Sequence, residues 1–257
     1  MRKLKWIVLI SAAAGFYVLN RFARRWGATD NEVLESLPGD ELVANPTVET
    51  THAVTVKAPA EAIWPWLVQA GYHRGGWYGD DITENLFVNY FWRVLVPEEE
   101  RADFRQSATR ILPEFQDLET GDIIPDGPPG TAYFDVEELE PNRYMVLYSN
   151  THLKSLATRF LKNTFLEPYG EFTWAFVIRD EQPGGTRLIL RMRANYGPSL
   201  FQMLSWPFFM AGEALFTYQI LHGIRKRVES AGMKVEGRRM KEEGRRMKLT
   251  SEDKFAH

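Results

Sequence analysis

From Glu171 to Asp180 the residues EFTWAFVIRD alternate, placing Phe172, Trp174, Phe176 and Ile178 on one side. After a turn at Gln182–Gly185, TRLILRMRA returns with Leu188, Leu190 and Met192 on one side and Arg187, Arg191 and Arg193 on the other. Period-two alternation marks a strand with one buried face, and a glycine-bearing turn between two such runs makes a hairpin. The three arginines then read as a solvated stripe on the open face. Ser199 to Ser230 follows as one long helix, very apolar in its first half (LFQMLSWPFFMAGEALF). It ends on Arg225, Lys226 and Arg227, which suit the negative pole of a helix dipole, and Pro207 predicts a kink. A hairpin of this kind beside one long helix confines the chain to an α+β fold.

The upstream sequence adds elements in the same style. His52, Val54 and Val56 alternate with polar or small neighbours and predict a strand ended by Pro59. In AEAIWPWLVQA (60–70), Ile63, Trp66, Leu67 and Ala70 fall at helical spacing. Pro65 is tolerated in a first turn, and Gly71 is a natural stop. Asp122–Pro125 reads as a short strand, GPPG (127–130) as a turn, and TAYFDVEELEP as a strand with Phe134 and Val136 on one face. Arg143–Asn150 is another strand, and 151–169 a long basic connection. Between them, 71–116 is mixed: a glycine- and aromatic-rich opening, an apolar run FVNYFWRVLV of undecided state, and an acidic segment of helical character.

Charge is segregated along the chain. Residues 1–27 carry six Lys/Arg and no acid, 28–232 carry 17 basic and 29 acidic side chains, and 233–257 carry eight basic and five acidic. The acidic body is a poor nucleic-acid binder. The front end holds WIVLISAAAGFYVL (Trp6–Leu19), 14 residues without a charge, between Arg2, Lys3, Lys5 and Arg21, Arg24, Arg25. At about 1.5 Å per residue it covers roughly 21 Å, short of a hydrocarbon core of about 30 Å. Phe22 and Ala23 extend it, with Arg21 able to snorkel. We read residues 1–26 as an uncleaved single-pass membrane anchor. A cleaved signal peptide, or a helix lying on the body or in the membrane interface, are the competing readings. Equal charge on both flanks leaves the side of the body open. Residues 27–50, polar and broken by Pro38-Gly39 and Pro46, read as a stalk or surface-wrapping linker. Residues 233–257, with EGRRMK at 236–241 and again at 243–248, read as a basic polar tail.

The string APAEAIWPWLVQAGYHRGGWYGDD (58–81), ILPEFQDLETGD (111–122), the TWAF strand with its GGTRL return, and FFMAGEALFTYQILHGIRKRVE (208–229) together resemble the START-like superfamily, also labelled SRPBCC or polyketide cyclase/dehydrase-like. The WPWLVQ-G-RGGWY string is similar to that of an uncharacterised bacterial subgroup, several of whose members look membrane-anchored. The sequence departs from the pattern by an apparent aromatic-rich insertion at 86–105 and by the repeat tail. The resemblance implies a helix-grip domain over 51–232, an antiparallel sheet wrapped around the C-terminal helix and enclosing a cavity for apolar ligands. It implies no particular reaction.

A search for chemistry finds little. The absence of cysteine excludes disulfides, thiol nucleophiles and thiolate metal sites. The five histidines are scattered without zinc-helix spacing, and no serine-elbow or phosphate-loop motif occurs. No metal, cofactor or catalytic residue is therefore assigned. The densest polar cluster is His73, Arg74, Asp80, Asp81 and Glu84 around Trp77 and Tyr78. It is either an acid/base group at a cavity mouth, or a Gly75-Gly76 turn with Trp77 plugging the core and Asp80/Asp81 capping a helix. Arg74 near an aromatic wall is suited to anchor a carboxylate or enolate. Under the resemblance, the cavity candidates are Trp66, Arg74, Trp77, Tyr78, Tyr144, Tyr148, Trp174, Phe208 and Phe209. The aromatics among them, with Trp64, serve equally well as plain core packing. The expectation is a membrane-anchored binder of a hydrophobic small molecule or lipid, without catalysis of its own. The alternative is a cyclase/dehydratase-type enzyme acting on a polyketide-like or other apolar substrate.

Overall fold

The computed structural model describes residues 2–79, 106–156, 161–181 and 185–255. Asp80, Asp81, Glu84 and the 86–105 insertion lie outside the described residues. The helices are α1 (Arg2–Arg25), α2 (Asp30–Leu34), α3 (Ala60–Val68), α4 (His152–Leu156) and α5 (Ser199–Phe255). The strands are β1 (Val48–Val56), β2 (Ile123–Pro125), β3 (Tyr133–Glu140), β4 (Tyr144–Ser149), β5 (Tyr169–Glu181) and β6 (Gly185–Gly197). They form one antiparallel sheet in the order β1-β6-β5-β4-β3-β2.

The hairpin keeps the register that its alternation requires. Trp174 pairs with Met192, Phe176 with Leu190 and Ile178 with Leu188, so both inward rows share one face. β1 then pairs with β6, setting His52 opposite Leu190 and Val54 opposite Leu188. Onto this face pack α3, through Ile63, Trp66 and Leu67, and α5, through Ile220, Leu221, Ile224 and Val228. Each fully buried aliphatic side chain here contributes about 1.5–3 kcal/mol relative to exposure. α5 runs unbroken through Pro207 and continues past Ser230 to Phe255, so the repeat tail is helical in backbone.

The opposite face of the sheet corrects the arginine reading. Arg191 is only 2% exposed, and the arginines hold residues 27–50 across the sheet rather than facing solvent. Arg187 grips Glu32 through Nε and Nη2, both at 2.8 Å, and donates from Nη2 to the Gly27 carbonyl. Arg193 reaches the Ala44 carbonyl, and Arg179 pairs with Glu35. The linker is thus a surface-wrapping strap with its own small core of Leu37, Ala53, Val177 and Ile189. At Gly39 the strap lies so close that a Cβ would sit 2.3 Å from Val146, and the backbone has φ +80°, so only glycine fits there.

Glu32 is the strap's titratable clasp. Burial pushes its carboxyl up, but the Arg187 guanidinium and the Thr29 N–H together outweigh burial and hold it below its ordinary value of 4.5. Thr29 and Glu32 also form a reciprocal capping box on α2. A depressed carboxyl stabilises the fold above its unfolded pKa, and that contribution disappears as pH falls through the folded value. Protease nicking within 27–50 is therefore expected to rise on acidification below pH 4.5. In Glu32→Gln that rise should flatten; an unchanged acid profile in the variant would refute the assignment.

α1 meets the body at its last turns. Trp26 stacks on the fully buried His52 (ring centroids 4.7 Å) and meets Tyr218 edge-on at 5.4 Å. His52 Nε2 lies 3.2 Å from Glu213 of α5, whose other oxygen accepts from Thr50 at 2.7 Å. Earlier in α1, Phe16, Tyr17, Val18, Leu19 and Phe22 are 60–69% exposed. Among the described residues no helix is long and apolar enough to cross a membrane, so the expected transmembrane helix has no support from length and hydropathy.

Candidate ligand site between sheet and helix

The inward rows of β3 and β5 bring Phe134, Phe172 and Trp174 together, because each occupies the core-facing parity of its strand. Phe134 stacks on Trp174 at 5.0 Å and meets Phe172 edge-on at 5.4 Å. Trp77, from the loop after α3, stands edge-on to Trp174 at 5.4 Å and to Phe134 at 5.9 Å. Phe216 of α5 closes the group 5.7 Å from Trp174, and the His152 ring lies 4.8 Å from Phe134. Edge-to-face and offset rings at these separations are the favoured aromatic geometry. The indole Nε1 atoms of Trp77 and Trp174 are both buried and have no acceptor among the described residues. Buried indole N–H groups ordinarily find a partner, so two in one nest call for an explanation.

The loop carrying Trp77 is tightly tied. The Gly75 N–H donates to the Gln69 carbonyl at 2.6 Å, and Gly71 bridges Gly76. Tyr78 donates its hydroxyl to the Trp66 carbonyl at 2.5 Å, while its backbone N–H donates to Ser107 Oγ at 2.8 Å. Its phenol is buried, which pushes its pKa well above the ordinary 10. Buried Gln69 accepts from the Leu112 N–H at 2.9 Å and donates to the Arg110 carbonyl, pinning 107–116 against α3.

Arg74 does not face the nest. It donates from Nη2 to the Val68 carbonyl at 2.7 Å and from Nε to the Ala70 carbonyl at 3.1 Å, and its guanidinium lies over the Phe115 ring. It therefore caps the open carbonyls at the end of α3, and burial lowers its pKa.

The other predicted positions separate in the same way. Trp66 and Tyr78 form an edge-on pair at 5.8 Å beneath α3. Tyr144 packs against the core under the strap, on the far side of the sheet from Trp174. Tyr148 pairs with Thr173 on that far side and donates to Glu171 at 2.6 Å. Partial burial and this carboxylate push its phenol up to about 12. Phe209 packs on Tyr196 at 5.1 Å, and Phe208 is 78% exposed. Of the nine candidates, only Trp77 and Trp174 meet in the nest. Phe134, Phe172, Phe216 and His152 were not among them, although the parity shared with Trp174 signals Phe172 directly.

His152 joins a chain of polar contacts beside the nest. Its Nε2 lies 2.8 Å from Asp126 Oδ2 and its Nδ1 2.7 Å from Ser149 Oγ. This has the residue types of a nucleophilic triad, but Ser149 is fully buried and already accepts the Thr151 N–H at 3.1 Å. With Ser149 fully buried, the chain serves as a strut joining β4, α4 and the β2–β3 turn.

A separate groove of about 430 Å³ runs along the β1 edge, between α1 and α5, and holds none of the nine candidates. Trp26, Phe22 and Tyr218 give it an apolar side, with Arg187 and Arg225 opposite. Both arginines are already committed, Arg187 to Glu32 and Arg225 to Glu229 at 3.1 Å. Trp26 in this groove also carries a buried indole Nε1 without an acceptor among the described residues, but the nest gathers two such donors in one aromatic cluster and is the stronger candidate site.

The chain is thus an α+β protein with a six-stranded antiparallel sheet and a long C-terminal helix enclosing an aromatic interior. No family model matches it, and no curated protein matches its sequence. Among solved structures it is similar to protein MLL2253 from Mesorhizobium loti, at 13% identity over 70% of this chain and 97% of that one, with a TM-score of 0.35. A conserved protein from Geobacillus kaustophilus is similar at 9% identity over 72% and 97%, with a TM-score of 0.37. CalU16 from Micromonospora echinospora is similar at 12% identity over 71% and 84%, with a TM-score of 0.30. The fold rests on the sheet topology given above.

Proposed function

We propose that the chain is a membrane-anchored protein that binds an apolar small molecule or lipid in the aromatic nest, without catalysis of its own. The observation that carries this reading is the pair of buried indole N–H groups of Trp77 and Trp174, which have no acceptor among the described residues. A ligand with an apolar body and one or two acceptor oxygens satisfies both donors and fills the surrounding aromatic surface. The anchor reading draws on α1, whose exposed apolar side chains need apolar surroundings of their own. The cyclase-type alternative is weaker, because Arg74 is committed to the carbonyls of α3 and is turned from the nest.

Native mass spectrometry of the full chain, released from detergent, should show a co-purifying apolar compound bearing a carbonyl, hydroxyl or carboxylate. Trp174→Phe keeps an aromatic ring, though a smaller one, and removes one donor, so it should weaken retention of that compound at least about fivefold, the worth of one hydrogen bond. A chain that carries no compound, and whose tryptophan fluorescence no fatty acid or hydrophobic dye alters, would overturn the proposal.

A further inference from the structure

The first half of α5 exposes a continuous apolar stripe. Leu200, Met203, Leu204, Phe208, Leu215 and Tyr218 are 42–78% exposed and recur at the three- and four-residue spacing of one helical face. No charged residue interrupts this face between Leu200 and Tyr218, which at about 1.5 Å per residue extends roughly 27 Å. The inward side of the same helix is independently accounted for by Met210, Thr217 and Ile220, all buried. A helix with one face packed and the other apolar and exposed has a second partner to satisfy.

We propose that this stripe is a second membrane contact, lying in the headgroup–acyl boundary beside α1. Continuity with α1 argues for lipid as the occupant: α1 packs on α5, and Phe22 and Tyr218 line one groove. Charge complementarity argues the same way. The Arg24 guanidinium lies 4.9 Å over the Trp206 ring of α5, and Arg21 and Arg25 on the same end of α1 share the single acid Asp30, which leaves this end of α1 net basic. A basic side chain and an indole beside an apolar stripe are the composition of an interfacial helix on anionic lipid. The contact would lay the helix that closes the aromatic nest directly on the bilayer, giving an apolar ligand a short path between membrane and site. This rests on the anchor in the proposed function.

The chain contains no cysteine, so single labels are clean. Full-length F16C, M203C, F208C, L215C and E137C proteins, each carrying an environment-sensitive nitrobenzoxadiazole label, are reconstituted in vesicles of phosphatidylcholine and phosphatidylglycerol. Labels at 203, 208 and 215 should shift to the blue and be quenched by lipid-borne nitroxides at shallow depth, about 5–10 Å. The label at 137, on exposed β3, should remain aqueous. If 203, 208 and 215 stay aqueous while 16 reports lipid, the stripe proposal falls and the anchor stands. If 16 is aqueous as well, the anchor itself fails and takes the stripe with it. Shielding of 208 that appears without lipid and grows with protein concentration would assign the face to a second copy and overturn the proposal.

Discussion

Arg191→Ala is expected to cost about 3–5 kcal/mol, the range for breaking one side of a buried ion pair. Arg191 donates from Nη1 to Asp40 Oδ2 at 2.9 Å and to the Glu35 carbonyl at 2.7 Å. Its Nη2 serves the Glu32 and Val33 carbonyls, and its Nε serves Thr51 Oγ1. Alanine leaves the Glu32, Val33 and Glu35 carbonyls without their donor, and leaves the Asp40 carboxylate with only Arg193 at 3.4 Å and the Leu37 N–H. Lysine should rescue little, because a single ammonium cannot reproduce the fork. Urea unfolding measures the loss, and hydrogen exchange should place it in residues 32–43. A loss below about 1 kcal/mol, with that segment still protected, would show that Arg191 is not the strap's main fastening.

The second large effect is expected at Gly223. A Cβ there would sit 1.9 Å from the Tyr78 carbonyl oxygen and 2.7 Å from its Cβ. Tyr78 cannot yield easily, being held by Trp66, Ser107 and the Arg227 guanidinium. Gly223→Ala should therefore force α5 from the loop and cost about 1–3 kcal/mol or more, despite alanine's better helix propensity. Gly212 and Gly232, in the same helix, have open space around the Cβ position. Alanine at either should be neutral or stabilising by up to about 1 kcal/mol. Equal responses at all three glycines in thermal unfolding would dismiss the close-approach argument.

The contrast between what was and was not legible in the sequence follows from the kind of information that periodicity holds. Alternation in 171–193 fixed the inward row of the hairpin, because one row is uniformly apolar and the other carries three arginines. The same pattern could not say what covers the arginine row. The strap has no period of its own, and three of its contacts to Arg191 use backbone carbonyls, which every sequence possesses, beside the one Asp40 carboxylate. In β4 both faces are apolar, Tyr144, Val146 and Tyr148 against Met145 and Leu147. Only the pairing of Leu147 with Trp174 decides which row faces the helix, and that register is a property of the assembled sheet. Phe208 failed for a related reason: α5 is apolar on all sides there, so composition could not distinguish the packed face from the open one. The polar strut on Asp126 and His152 joins residues 26 apart in sequence and leaves no spacing signature.

The strap also governs how the body can move. A free 22-residue segment between helix and sheet (26–47) would let the two wander by roughly 23–28 Å. Here the Trp26 carbonyl accepts the Ala53 N–H, Gly27 is held by Arg187, and the segment that follows is tied to the sheet at Glu32, Asp40 and Ala44 by Arg187, Arg191 and Arg193. With α1 in the membrane as proposed, the body has neither reach nor swivel. Any tilt of α1 becomes a tilt of the whole domain, and the distance from the bilayer to the aromatic interior is set by the chain rather than by diffusion on a tether.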